Sequence, residues 1–299
     1  MLYGLSLAWS WSLGGFLCFV VLGALYMFGV WRVHVRHQRD PQIPEVSALR
    51  ITSFWIGLVI FALLFFSPVQ TIGRTQLFSV HMGEVVILTT LCAPLLVGGC
   101  SAVLLEPVLN IPVVSSLARF LTNPIVTSII FNGTFLLWHA PKIYNAAVGS
   151  VFVYNTMMIT IFIASLFNWW PVVGSLSELK KIGYPLQMLY IILDGEPVDI
   201  FAFILVYSNV TLYTRYTIPA QFAQFGFTSF GDQSAAGAML LLPGLIDLAV
   251  MTPLFIAWMG QIERRTRLAD ERRQAESEES YYDDEEDEEE MHLRQINLS

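Results

Sequence analysis

Long apolar segments separated by short polar stretches dominate the first 262 residues of the chain. Seven of them are long and apolar enough to cross a bilayer, which requires about 20 apolar residues per helix. They lie near residues 9–31, 52–72, 81–105, 123–139, 152–173, 185–210 and 234–259. Residues 107–121 are too short and too interrupted to span, and we expect them at the membrane interface. The pattern predicts an all-α fold, a polytopic membrane bundle of seven transmembrane helices.

The composition agrees with a membrane protein and divides the chain into two parts. Hydrophobic residues make up 55% of the chain and charged residues 13%, which excludes an ordinary soluble domain. Residues 1–262 hold ten acidic and ten basic side chains, so the net charge of −8 comes from residues 263–299. We therefore expect a transmembrane domain over 1–262. The tail over 263–299 is expected to be cytoplasmic, acidic and disordered, because so charged a segment cannot bury a core.

The distribution of lysine and arginine predicts the orientation of the bundle. One set of loops carries most of the basic residues: Arg32, Arg36, Arg39, Arg50, Arg119, Lys180, Lys181, Arg264, Arg265 and Arg267. The opposite loops hold only Arg74, Lys142 and Arg215. The positive-inside rule then places the amino terminus outside and the carboxyl terminus in the cytoplasm.

Polar side chains suited to a soft metal ion meet at the predicted outer ends of four segments. His81 and Glu84 are three residues apart and share a helix face, and His139 ends the fourth segment. The fifth and seventh segments open with further polar or sulfur-containing residues: Tyr154, Met157, Met158, Asp232 and Gln233. Imidazoles and thioethers suit copper better than a hard cation. The alternative is structural, since a histidine at a helix end often hydrogen-bonds a nearby loop carbonyl.

A second polar group consists of carboxylates deep in the last two segments. Asp194, Glu196 and Asp199 lie in the sixth segment and Asp247 in the seventh. Ionisable groups at membrane depth usually face the bundle interior and mark functional sites. Gly195 and Pro197 are expected to open the sixth helix locally. These residues leave open an ion or small-molecule transporter with a carboxylate path, or protonated carboxyls that satisfy a broken backbone.

An ordered set of short motifs resembles the CtaG family of cytochrome c oxidase assembly factors. In order these are His81-Met82, the run from Trp138 to Tyr144, Trp169-Trp170-Pro171, the run from Tyr213 to Tyr216, and the run from Asp232 to Gly237, within roughly residues 50–262. The resemblance implies a multi-pass protein of the bacterial plasma membrane that helps to mature caa3-type oxidase, supports copper delivery and is not an enzyme.

The resemblance also implies a copper site and a set of partners. His81, Met82 and His139 become candidate copper-contacting positions, with Asp232 and Gln233 on the same outer face. The implied partners are oxidase subunits and other copper chaperones, in a lipid bilayer and without nucleic acid.

This chain departs from the family pattern at histidine positions. Family members commonly carry a second histidine four residues after the one that matches His81, where this chain has Val85. Further family histidines correspond to Tyr154 and Met158. Because two histidines at i and i+4 present two ligands on one helical face, their loss predicts weakened or altered metal binding. Either Met82 and Glu84 replace the missing ligands, or the ion is no longer bound.

Overall fold

A computed structural model describes residues 13–175, 182–216 and 218–296, and all regular elements within these ranges are helices, which confirms the all-α prediction. The first half contains α1 (Leu13–Arg39), α2 (Ala48–Phe66), α3 (Pro68–Thr75), α4 (Phe78–Val86), a π-helix (Ile87–Cys92), α5 (Ala93–Gly99), α6 (Ala102–Leu109), α7 (Pro112–Leu121) and α8 (Pro124–His139). The second half contains α9 (Pro141–Val148), α10 (Val151–Asn168), α11 (Trp170–Val173), α12 (Tyr184–Tyr207), α13 (Ala220–Ala223), α14 (Ser229–Leu240) and α15 (Pro243–Ile296).

Within the described ranges, five helical stretches are long and apolar enough to cross a membrane. They are Phe19–Arg39, Ala48–Phe66, Phe78–Gly99, Val151–Val173 and Ser229–Glu278. A sixth is obtained if α7 and α8, bent by 71° at their junction, form one span. The apolar helices therefore fit a multi-pass membrane protein. α12 is 24 residues long but carries three carboxylates and falls outside this group.

The finer topology stays a prediction. Seven spans would require α12 to cross the bilayer with its three acidic side chains, and neither this nor the outer amino terminus is established by the helices. Lys180 and Lys181, which contribute to the orientation argument, lie outside the described residues. The segment predicted at the interface contains α7, whose Val113, Leu117 and Phe120 are exposed.

The helix α14 lies between α4 and α12 and packs against both. Its small residues permit this close approach, as small side chains do at helix contacts in membranes. A Cβ on Gly237 would lie 2.8 Å from the Ala202 carbonyl oxygen of α12. Elsewhere in the bundle α5 packs on α2 and α8 packs on α10, while the short α3 covers α4.

The π-helix follows from the chemistry of Pro94. Proline has no N–H, so in a π-helix the carbonyl five residues earlier, that of Thr89, loses its donor. The indole of Trp169 supplies a replacement, with its Nε1 2.6 Å from the Thr89 oxygen. Thr90 in turn donates from its hydroxyl to the Val86 carbonyl at 2.7 Å. A tryptophan at the end of α10 thus satisfies the irregular turn in the middle of the Phe78–Gly99 stretch.

The chain separates into two compact units, Met1–Ala249 and Val250–Ser299. In the second unit α15 continues to Ile296, and every side chain from 263 to 278 is exposed. The backbone of α15 is helical here, as expected for a segment rich in the good helix formers Glu, Arg, Ala and Gln. That the tail over 263–299 is cytoplasmic and disordered stays a prediction. The division of the chain at residue 262 stays a prediction.

Candidate functional site

Two histidines from different helices face each other at the start of α4 and the end of α8. The Nε2 atoms of His81 and His139 lie 3.2 Å apart, and both side chains are 0% exposed. The Nδ1 of His139 lies 2.8 Å from the carbonyl oxygen of Phe135, which can only accept a hydrogen bond. His139 therefore carries its proton on Nδ1 and presents a lone pair on Nε2. We call these two residues the histidine pair.

The other imidazole continues into a chain of hydrogen bonds. The Nδ1 of His81 lies 2.7 Å from the Tyr154 hydroxyl, and that hydroxyl lies 3.2 Å from Oε2 of Glu84. The second oxygen of Glu84 is buried without a hydrogen-bond partner. The Nδ1 atom of each histidine is thus hydrogen-bonded. That of His139 contacts a backbone carbonyl, and that of His81 contacts a phenol whose hydroxyl in turn contacts a carboxyl group. This arrangement is typical of histidines that bind a metal through the remaining nitrogen.

Three tyrosines enclose the histidine pair, and we call Tyr144, Tyr213 and Tyr216 the aromatic cover. The ring of Tyr144 lies 5.1 Å from that of His81 and 5.7 Å from that of His139, between ring centres. Tyr213 donates to the backbone oxygen of His139 at 2.5 Å, and the hydroxyls of Tyr144 and Tyr216 are hydrogen-bonded to each other.

The aromatic cover contributes neutral hydroxyl groups. Burial raises the pKa of the Tyr144 and Tyr216 phenols well above their ordinary value and also raises that of Tyr213. All three therefore stay protonated and act as hydrogen-bond donors. The Tyr216 hydroxyl lies 2.8 Å from the carbonyl oxygen of Gly73, which ties the cover to α3.

Asp232 and Gln233 lie at the same end of the bundle, where they connect helix ends. The carboxylate of Asp232 accepts from the backbone N–H groups of Phe78 and Ser79 at 2.6 and 3.1 Å, and from the Ser79 hydroxyl at 2.5 Å. It thereby caps the start of α4 from α14, which is a favourable position for a negative charge. Gln233 accepts from the Leu212 N–H at 2.7 Å and holds the loop that carries Tyr213 and Tyr216 of the aromatic cover.

The predicted sulfur ligands lie in the hydrophobic core. Met82, Met157 and Met158 are all buried and belong to the main cluster of packed apolar side chains. Across the described residues, no three His, Cys, Asp or Glu side chains are grouped closely enough to hold one metal ion. The candidate copper ligands that the structure brings together are therefore the two imidazoles.

Three of the four predicted carboxylates line one cavity, which encloses about 80 Å³. Asp194 and Asp199 reach it from α12 and Asp247 from α15, whereas Glu196 lies on the exposed face of α12. The helix continues through Pro197 without the expected local opening. A transporter with a carboxylate path would therefore have to use Asp194, Asp199 and Asp247 without Glu196.

Asp194 is the best-held carboxylate of the cavity. Its Oδ1 accepts from the Ser128 hydroxyl at 2.5 Å and from the Asn132 amide at 3.0 Å, and its Oδ2 accepts from the Asn168 amide. Tyr190 donates to Oδ1 of Asn168 at 2.6 Å, which turns the amide nitrogen of Asn168 towards Asp194. We call Asp194 with these three donors the Asp194 hub.

Several residues of the site had no predicted role in the sequence. The aromatic cover lies inside two motifs that carried the family resemblance, the runs Trp138 to Tyr144 and Tyr213 to Tyr216, which was the available signal. A weaker signal was available for Ser128, Asn132 and Asn168, because they are polar residues within apolar segments.

A bundle of apolar helices that buries a histidine pair under tyrosines defines a polytopic membrane protein with a candidate metal centre at one end. A family model described as cytochrome c oxidase caa3 assembly factor (Caa3_CtaG) matches residues 24–261. The chain therefore belongs to this family, as the sequence motifs indicated. No curated protein and no solved structure matches the chain.

Proposed function

We propose that the protein is a plasma-membrane assembly factor for caa3-type cytochrome c oxidase that supports copper delivery by holding Cu(I) at the histidine pair. Membership of the family supports the assembly role and an association with the oxidase. The observation that supports the copper role is the 3.2 Å approach of the two Nε2 atoms. The proposed role is not catalytic.

The two imidazoles are suitable donors for copper(I), but their Nε2 atoms are at hydrogen-bonding distance and would have to move apart to hold an ion between them. His81 and His139 would hold the ion through Nε2, and imidazole is a suitable ligand for copper. Bound copper would supply a soft acceptor for the two lone pairs. His139 keeps its Nδ1 proton on the Phe135 carbonyl, while His81 can place its proton on Nδ1 towards Tyr154. The phenol of Tyr154 then donates to Glu84, so both imidazoles stay neutral and oriented.

The same geometry explains how the chain could function without the second family histidine. Val85 stands where that residue is expected, but the partner of His81 comes from α8 instead of from the next turn of α4. A site with two ligands releases its ion more readily than one with three or four, which suits delivery to a partner. Release also requires the aromatic cover to move, since both histidines are fully enclosed.

The decisive experiment removes the gene from its host and restores it in variant forms. We expect the deletion strain to lack mature caa3-type oxidase and the wild-type gene to restore both its copper content and its activity. The His81→Ala/His139→Ala double variant should restore neither, whereas His34→Ala should restore both, because the His34 side chain is 54% exposed and far from the pair in sequence. Full oxidase in the deletion strain would contradict the assembly role.

Binding of copper is measured separately on the purified full-length protein. Competition with a Cu(I)-specific chromophoric chelator should detect about one ion per chain, and the double variant should lose at least about 100-fold in affinity, as expected for removal of both ligands. If the double variant binds Cu(I) as the wild type does while the deletion strain still lacks the oxidase, the copper role is wrong and the assembly role stands.

A further inference from the structure

A glycine of the short helix α3 lies directly against the histidine site. Gly73 is buried within Pro68–Thr75 and has an ordinary helical backbone, where alanine is the more favourable residue. Its identity is explained by space. A Cβ built on Gly73 would overlap with Oε2 of Glu84 and would lie 3.1 Å from Cα of His81. The missing side chain therefore lets α3 touch both the carboxyl group of Glu84 and the backbone of α4.

We infer that Gly73 is a positioning residue of the histidine site. It leaves Glu84 the space in which Oε2 accepts from Tyr154, and through Tyr154 it determines which ring nitrogen of His81 carries the proton. This role rests on the proposed function for its consequence, since Nε2 of His81 can bind an ion only when the proton is on Nδ1. The proton itself can be located without any metal.

The position of the His81 proton depends on the far end of the hydrogen-bond chain. The Tyr154 hydroxyl has one proton and contacts Nδ1 of His81 at 2.7 Å and Oε2 of Glu84 at 3.2 Å. When it donates to Glu84, its oxygen can accept from Nδ1 of His81, and Nε2 keeps a lone pair. When Glu84 does not accept, the hydroxyl donates to Nδ1, and the His81 proton moves to Nε2, towards His139. The bond made by one ring nitrogen thus sets the state of the other.

A side chain on Gly73 would displace Glu84 before it displaced α3. Three hydrogen bonds hold α3 in place, from Tyr216 to the Gly73 carbonyl at 2.8 Å, from Arg74 to the Val148 carbonyl at 3.2 Å and from Gln70 to the Asn155 side chain at 2.8 Å. Glu84 ends in a carboxyl group whose other oxygen has no hydrogen-bond partner. This group can therefore rotate away from a methyl group, and the contact that it loses is the one with Tyr154.

The proton is located by ¹⁵N NMR on the copper-free full-length protein with labelled histidine, because a protonated ring nitrogen has a distinct chemical shift. Gly73→Ala should move the His81 signals towards those of a ring protonated on Nε2. Glu84→Ala removes the acceptor without touching α3 and should move them in the same direction. The Nδ1 signal of His139 should stay unchanged, because that nitrogen donates to the Phe135 carbonyl. A His81→Ala variant assigns the His81 signals.

Competition with the Cu(I) chelator measures the consequence for the metal. Gly73→Ala should lower the Cu(I) affinity about tenfold, the lower end of the loss expected when an outer partner of a metal-binding histidine is removed. Tyr154→Phe removes the hydroxyl through which the effect passes. In the Tyr154→Phe background, Gly73→Ala should therefore cause no further loss of affinity.

The matched control is the same substitution at another crowded glycine. Gly99 lies at the far end of the Phe78–Gly99 stretch, where a Cβ would lie 2.6 Å from Cβ of Phe54 and 2.9 Å from the Arg50 carbonyl oxygen. Gly99→Ala should lower the SDS fraction at the midpoint of unfolding more than Gly73→Ala does, because it meets backbone instead of the end of a flexible side chain. It should nevertheless leave the His81 signals and the Cu(I) affinity unchanged.

Two results would overturn the positioning role. One is unchanged His81 signals in both Gly73→Ala and Glu84→Ala. The other is an equal loss of Cu(I) affinity from Gly73→Ala with and without the Tyr154 hydroxyl. If the wild type binds no Cu(I) while the His81 signals shift as expected, the copper role is wrong and the positioning role of Gly73 stands, so the two failures can be told apart.

Discussion

The histidine end and the Asp194 cavity both bury polar side chains, but their hydrogen bonds have different arrangements. At the histidine end the bonds form a chain that runs from Glu84 through Tyr154 and His81 to His139. At the cavity they converge on Asp194, which accepts from three side chains. Loss of the Asp194 side chain takes the acceptor from Ser128 and Asn168 at once, whereas Asn132 keeps the backbone carbonyls of Ser128 and Asp194 as acceptors.

The two regions also differ in the polar atoms that they present. The histidine pair presents ring nitrogens under phenol hydroxyls, and the cavity presents carboxylate, amide and hydroxyl oxygens. Phe135 lies between them, since its carbonyl accepts from His139 and its side chain belongs to the cavity wall. The bundle thus keeps the ring nitrogens of the histidine pair and the carboxylate of Asp194 about one helical turn apart along α8, without a shared polar side chain.

The largest effect on stability is expected from removal of the hub. Asp194→Ala leaves the donors of Ser128 and Asn168 without their acceptor, and we expect the free energy of unfolding to fall by about 3 kcal/mol. SDS-induced unfolding in mixed micelles provides the measurement.

The control for this variant removes a carboxylate from the same cavity without breaking the hub. Asp247→Ala should lower the free energy of unfolding by less than about 1 kcal/mol, because Asp247 does not accept the three hub bonds. Equal losses in the two variants would show that the convergence on Asp194 contributes no special stability.

A smaller effect is expected at the start of α4, where Asp232 gathers three donors next to the histidine pair. Asp232→Ala removes the acceptor of two backbone N–H groups and the Ser79 hydroxyl, and should cost about 2 kcal/mol, near the upper range for a helix cap. His81 lies in the first turn of this helix, so the Cu(I) affinity should fall with it.

The conservative variant Asp232→Asn distinguishes the contribution of the capping hydrogen bonds from that of the negative charge. Asp232→Asn keeps one carbonyl oxygen as an acceptor and should retain at least about half of the stability that Asp232→Ala loses. The same SDS titration and chelator competition apply to both variants. A full-sized loss in Asp232→Asn would mean that the negative charge at the helix end, and not its hydrogen bonds, supplies the stabilisation.

Hydrophobic segments and helix ends could be predicted from the sequence because they depend on local composition. The segments 123–139 and 152–173 match α8 and the α10–α11 pair closely. The placement of His81 and His139 at the same end of the bundle was predicted from the sequence, because one stands at the start of an apolar segment and the other at the end of the next. The contact between their Nε2 atoms could not be predicted, because it depends on how far α4 and α8 approach and on side-chain rotation.

The carboxylates show which features of the cavity could be predicted from residue spacing along a helix and which could not. Two residues turn an α-helix by about 200°, so Glu196 could have been separated from Asp194 on the sequence alone. The hub could not, because its donors Ser128, Asn132 and Asn168 come from α8 and α10 and meet Asp194 only after packing.

The smallest effect is expected in the aromatic cover, where a single bond can be removed without changing a ring. Tyr213→Phe deletes the hydroxyl that donates to the His139 carbonyl, while the ring keeps its stacking on Phe78 at 4.1 Å. The free energy of unfolding should fall by about 1 kcal/mol, and the Cu(I) affinity should change less than about twofold, because the bond is to the backbone and not to the imidazole. Tyr207→Phe, at a tyrosine that is 74% exposed, is the matched control and should change neither quantity. A large loss of copper affinity in Tyr213→Phe would mean that the cover positions the His139 ring through its backbone, which would make the two regions more alike than their hydrogen bonds indicate.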